Sequence, residues 1–200
     1  MRISPSDIRL AITNPNYRVP RVRKGGPSPD GTLRKAIRVF HTDGLEAAMQ
    51  HIEQGLSGDY WRQRGLTQAK SARQMLDTYV HLAGGGSRMA APANKYTLRE
   101  IGHDIAADVD VLLPTPDGYI GRVCFTGAMS RVLTPDERAL VVAAPFRGLC
   151  EEFEDGLLGD VITGMQLWEL RFEVASVVTR AEAEAAWPAL IDHIRRATSE

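Results

Sequence analysis

The feature that most constrains the fold is a tight turn, Pro114–Thr115–Pro116–Asp117–Gly118, set between two apolar runs. Proline presets φ and glycine tolerates positive φ, so this cluster between β-branched and aromatic segments predicts a hairpin. The run before it holds Tyr96, Leu98, Ile101, Ile105, Val109, Val111 and Leu113, and the run after it spans Tyr119 to Phe125. Residues 95–127 therefore predict two strands joined by the turn, with the carboxylate of Asp110 near the end of the first. Alternation along a strand would point Asp110 to the face opposite Val109 and Val111.

Around this hairpin the chain is punctuated by helix signals. Ser4, Pro5 and Asp7 form a helix start, with a cap, a proline at the first position and an acid three residues on, and Asn14–Pro15–Asn16 ends it. Tyr17 to Thr32 is rich in Arg, Pro and Gly and predicts a basic loop. Apolar residues recur at helical spacing over 33–56, with a break near Asp43–Gly44, and again over 66–82, with Thr67 as cap. Beyond the hairpin, Thr134–Pro135–Asp136–Glu137 is a capping box opening a helix that Pro145 would kink or end. Residues 161–178 predict one long strand or two, and Thr179–Arg180–Ala181–Glu182 opens a final helix to about Arg196. The domain plan is an N-terminal helical part (1–83), a linker (84–94) and a β-β-α-β-α core (95–200), together one compact domain.

Composition matters mainly through charge. The net charge of −1 hides 16 Lys/Arg against 8 Asp/Glu in residues 1–100 and 8 against 17 in residues 101–200. Residues 1–40 alone hold 9 basic and 2 acidic side chains, which suits an anionic partner such as nucleic acid, or internal neutralisation of one half by the other. Cys124 and Cys150 match no disulfide or zinc pattern and fit a reduced, cytoplasmic setting. No apolar segment follows Met1 as a signal peptide would require, and no run approaches the ~18 apolar residues of a membrane span. P-loop, nucleophile-elbow, zinc-protease and dinucleotide fingerprints are all absent from the sequence.

The order helix, helix, strand with Asp, return strand, helix, strand resembles the PD-(D/E)XK nuclease superfamily, in its RecB-like and CRISPR-adaptation exonuclease branch. Three local features carry the resemblance. Ile3–Ser4–Pro5–Ser6–Asp7 is similar to the opening "SPS" helix. Val39–Phe40–His41 before Leu45–Glu46 is similar to the helix with a metal-binding histidine, without the usual glycine before it. Ala107–Asp108–Val109–Asp110 is similar to the "GxxD" strand, with alanine for glycine.

The resemblance implies a restriction-endonuclease-like α/β core, a mixed sheet flanked by helices, with an N-terminal helical part. It implies Asp110 and His41 as catalytic positions if the protein is active, with His41, Asp110 and Glu100 as candidate ligands for Mg²⁺ or Mn²⁺. The return strand departs from the pattern: Cys124–Phe125–Thr126 stands where D/E-x-K is expected, and 119–127 contains no Asp, Glu or Lys. Arg122 cannot act as that lysine, because its charge is fixed and its fork rigid. The glutamine–tyrosine motif of the following helix is also missing from 135–154.

The preferred expectation is a catalytically degenerate, cofactor-free nuclease-like subunit of a DNA-processing or defence complex. It would meet nucleic acid through Arg18, Arg21, Arg23, Lys24, Arg34 and Lys35 and would also bind a protein partner. An active metal-dependent nuclease with relocated ligands and a protein-interaction module without nucleic acid stand as alternatives. Glu100, His103, Asp104 and Asp108 crowd the strand of Asp110, where His103–Asp104 could ligate a metal or pair, or the group could be charged residues on an exposed strand face, and Trp61, Trp168 and Trp187 are read as core or cap residues.

Overall fold

The computed structural model describes residues 1–20, 29–56, 67–84, 91–92, 95–125, 131–154 and 162–199. In chain order the elements are β1 (Arg2–Ile3), α1 (Pro5–Thr13), α2 (Pro29–Asp43), α3 (Leu45–Gly55), α4 (Thr67–Leu82), β2 (Ala91–Pro92), β3 (Thr97–Glu100), β4 (His103–Ala106), β5 (Val111–Thr115), β6 (Gly118–Phe125), α5 (Pro135–Glu154), β7 (Ile162–Glu169), β8 (Val174–Thr179) and α6 (Arg180–Thr198). A single 3₁₀ turn, Leu170–Phe172, lies between β7 and β8. The fold is α/β, with two sheets and helices packed against them.

The larger sheet has strand order β2-β5-β6-β7-β8, antiparallel throughout except for the parallel pair β6/β7. The smaller has order β1-β4-β3, with β1 parallel and β3 antiparallel to β4. Alternation along β6 and β7 divides the interior into two layers. Val123, Met165 and Leu167 join one core with α1, α5, α6 and the small sheet. Cys124 and Trp168 face the other way and join a second core with α2, α3 and α4.

The expected first strand of the hairpin divides into three. Ile101 (φ 46°) and Gly102 (φ 77°) both take positive φ, the requirement of a two-residue hairpin turn, so β3 folds back onto β4. Residues 107–110 then cross to the large sheet, where β5 begins at Val111. Asp110 thus precedes a strand instead of closing one, and it is buried together with Val109 and Val111. The predicted turn is present as the connection Pro116–Asp117, with Thr115 paired to Gly118.

Other boundaries differ for local reasons. Gly44 (φ 90°) separates α2 from α3 where the break was expected. Helix α2 starts at Pro29, four residues before the expected start, and proline is tolerated at a helix's first position. The expected linker contributes β2, an edge strand whose Pro92 needs no donor on its free side. Pro145 sits inside α5 without ending it. Proline in a helix interior costs about 3 kcal/mol, but Val141, Val142, Phe146 and Leu149 around it are all buried, each contributing roughly 1.5–3 kcal/mol for full burial. The expected long strand is two strands, β7 and β8, separated by the 3₁₀ turn and by Glu173 at φ 56°.

The three predicted capping boxes form as read, whereas Thr67, expected as a cap, is the first residue of α4 itself. Ser4 and Asp7, and Thr179 and Glu182, make reciprocal capping boxes. Thr134 N–H donates to Glu137 Oε2 at 2.9 Å, and Glu137 N–H donates to Thr134 Oγ1 at 3.3 Å.

Candidate functional site

The site lies between α2, α4 and the face of the large sheet that carries Arg122, Cys124, Gln166 and Trp168. Arg34, Arg38 and His41 recur at i, i+4 and i+7 on α2, which puts them on one face of the helix. Asp110 comes from the crossing segment before β5. Its backbone N–H donates to the Arg122 carbonyl at 2.9 Å, which extends the β5/β6 ladder by one bond and fixes the carboxylate against the sheet.

Asp110 is fully buried. Its Oδ1 accepts from Arg34 Nε at 2.8 Å and from Arg38 Nη2 at 3.3 Å, and its Oδ2 accepts from the Cys124 N–H at 2.8 Å. Asp108 adds a contact of 3.6 Å to Arg34 Nη1. Arg38 Nη2 also donates to the Val109 carbonyl at 3.2 Å. The two aspartates are matched by the two arginines of α2.

A second hydrogen-bonded group lies beside the first. Arg122, 5% exposed, donates from Nε to Gln166 Oε1 at 2.8 Å and from Nη1 to Tyr79 Oη at 3.0 Å. Its guanidinium lies 3.5 Å from the centroid of Trp168, a cation–π stack. Tyr79 Oη is 2.6 Å from His41 Nε2. Tyr79 Oη thus bridges Arg122, which donates to it, and the His41 ring. Burial is the main reason the Tyr79 hydroxyl is held far above its ordinary pKa, so it stays protonated and able to donate.

The Cys124 thiol lies among these groups. Its pKa is pushed well above the ordinary value, first by burial and then by Asp110, with Arg122, Arg34 and Arg38 opposing. A thiol held protonated is a poor nucleophile and a poor metal ligand. Neither Cys124 nor Cys150 is in a disulfide.

The expected site residues thus sort by place. His41 and Asp110 face the same interior, each engaged by protein partners. Glu100 lies on β3 of the small sheet, opposite His103 across the β3–β4 hairpin, and Asp104 of that hairpin faces Arg99 at 3.5 Å. None of these three is brought to Asp110. Among the described residues, no group of three or more His, Cys, Asp or Glu is placed to hold a metal ion. Arg34 is drawn into the Asp110 pair, while Arg18 and Lys35 are exposed. Arg21, Arg23, Lys24 and Trp61 lie outside the described residues.

Neither a family model nor a curated protein matches this chain. Sequence reasoning passed over Arg38, Tyr79 and Gln166, and set Arg122 aside as a failed lysine. Two signals pointed to them: the Arg34–Arg38–His41 spacing on one helix face, and a lone arginine inside the otherwise apolar run Tyr119–Phe125. A cleft of about 260 Å³ lies on the other side of the sheet, between α5 and α6, lined by Phe146, Cys150 and Trp187 with Arg147 and Arg180 at its rim. Arg147 and Arg180 pair there with Glu151 and Glu184. No helix of the described residues is long and apolar enough to cross a membrane.

Proposed function

We propose that this chain is a nuclease-like protein of PD-(D/E)XK architecture that binds nucleic acid without cutting it, as a subunit of a DNA-processing or defence complex. The observation that carries the reading is the state of Asp110, whose two oxygens are taken by two guanidinium groups and a backbone N–H.

Mg²⁺ requires several oxygen ligands in near-octahedral array. Here the one carboxylate in position is already compensated, and His41 Nε2 is engaged by Tyr79. The strand register also supports the reading. Arg122 pairs with Val111, next to Asp110, so Arg122–Val123–Cys124 occupies the place of the acid-x-lysine triplet, two residues before the triplet expected from the strand end. An arginine in place of the acid and a buried thiol in place of the lysine supply neither an oxygen ligand nor an ammonium at these two positions, which supports the reading. The residues present do not fit Mg²⁺ or Mn²⁺.

The test pairs cleavage with binding. Purified protein with Mg²⁺ or Mn²⁺ is expected to leave single- and double-stranded DNA and RNA intact over hours. It is expected to bind a short duplex with an affinity that falls with salt, at a log–log slope of about −0.9 per phosphate neutralised. Cleavage that disappears in Asp110→Ala would establish an active nuclease instead. No binding at about 50 mM salt would leave a protein-interaction module as the surviving reading.

A further inference from the structure

Arg122 carries a charge that the interior does not balance. Asp108 and Asp110 are matched by Arg34 and Arg38. Arg122 makes no ion pair among the described residues. Its partners are an amide oxygen, a hydroxyl and an indole face, all neutral. A buried ion without a counter-ion is unfavourable, which makes it a candidate for a ligand of opposite charge.

The donors are also incomplete. A guanidinium has five N–H groups. Arg122 uses one on Nε and one on Nη1, which leaves one on Nη1 and both on Nη2 without an acceptor among the described residues. Trp168 behind, Gln166 on Nε and Tyr79 on Nη1 hold the Arg122 fork rigid before any ligand arrives.

We propose that Arg122 is a preorganised receptor for a phosphate group, set against Trp168 and held by Gln166 and Tyr79. A tetrahedral phosphate offers oxygens to the N–H groups that Arg122 leaves open, and arginine's planar fork matches phosphate geometry. The phosphate supplies the negative charge that the site lacks, where a metal site would have needed the opposite sign. Nucleic acid as the source of that phosphate rests on the function proposed above, whereas the receptor itself does not.

The Trp168 indole N–H resonance reports on occupancy, because the ring stacks on Arg122, and a Trp168→Phe variant assigns it. Inorganic phosphate, titrated against sodium chloride and sodium acetate at matched ionic strength, is expected to move this resonance saturably while the two other salts do not. Arg122→Gln is expected to weaken the phosphate response at least tenfold, and Arg122→Lys to fall between. A short oligothymidylate is expected to move the same resonance and to compete with phosphate.

A phosphate response unchanged in Arg122→Gln, or no response in the native protein, overturns the receptor. If Arg122→Gln does not fold, the Arg122 Nε–H resonance of the native protein decides, since a bound phosphate must shift it and silence there overturns the proposal. Phosphate binding that depends on Arg122 but is not displaced by the oligonucleotide upholds the receptor for a small phosphorylated ligand and counts against the nucleic-acid reading. Oligonucleotide binding with a normal salt slope but no Trp168 response upholds that reading and removes the receptor.

Discussion

Asp110 shows how one buried side chain can serve structure where its position suggests chemistry. A fully buried carboxylate is tolerable only if its charge and lone pairs are met, and here Arg34, Arg38 and the Cys124 N–H meet them. Removing one partner leaves the others uncompensated, which typically costs about 3–5 kcal/mol. Asp110→Asn is therefore expected to lower the unfolding free energy measured by urea titration by an amount of that order. In a double-mutant cycle with Arg34→Gln, the pair should cost less than the sum of the single changes by more than about 0.5 kcal/mol. Additive effects would mean that Arg34 and Asp110 do not depend on each other. Sequence picked out Asp110, because a carboxylate beside a hairpin turn is conspicuous. Its partners were not legible: Arg34 and Arg38 lie 76 and 72 residues away, and nothing in local spacing ties a helix arginine to a distant aspartate. The same distance hid the link between His41 and Tyr79, 38 residues apart.

At the level of elements, what was local was readable. Capping boxes involve residues three apart, so all three were visible in the sequence and are present in the structure. The β3–β4 hairpin escaped because its turn places Ile101, a β-branched residue, at positive φ, a conformation such residues rarely adopt. Strand β2 escaped because two residues beside a glycine run carry no periodic signal, and pairing with β5 alone defines it. Glu137 gives the caps a pH signature. Hydrogen bonds from Arg131, at 2.5 and 2.6 Å, with help from the Thr134 cap, lower its pKa from 4.5 to about 2. A carboxyl that binds its proton less tightly when folded adds stability above its unfolded pKa and loses it as pH falls through the folded one. The contribution of Glu137 is thus complete near neutrality and lost between about pH 4.5 and pH 2. Glu137→Gln should lower the melting temperature at pH 7, and the gap from the native protein should close as pH approaches 2. A gap that stays constant across this range would show that the carboxylate's charge is not what holds the start of α5.

For the whole molecule, the large sheet separates two cores, and the two helical layers are tied to it differently. The layer of α1, α5 and α6 is cross-linked by backbone and side chain: Val19 N–H donates to the Ala197 carbonyl at 2.9 Å, and Arg196 donates to the Ala11 carbonyl at 2.9 Å. The layer of α2, α3 and α4 rests on its apolar core, on the ion pairs of Arg34 and Arg38 with Asp108 and Asp110, and on the Arg122–Tyr79 hydrogen bond. These pairs join the basic first half of the chain to the acidic second half, so part of the charge asymmetry is consumed inside the fold. The unequal attachment predicts unequal opening. Local unfolding follows cooperative units that share buried contacts, so weakening Asp110 should release α2–α4 before it affects α6. In native-state hydrogen exchange, Asp110→Asn is expected to speed amide exchange across α2, residues 30–43, at least tenfold. Exchange across α6, residues 180–198, should stay close to that of the unmutated protein. Equal acceleration in both helices would mean that the molecule opens only as one unit and that Asp110 supports the whole fold. Acceleration confined to α2–α4 would mark this layer as the part that can part from the sheet, and with it the wall that encloses Arg122.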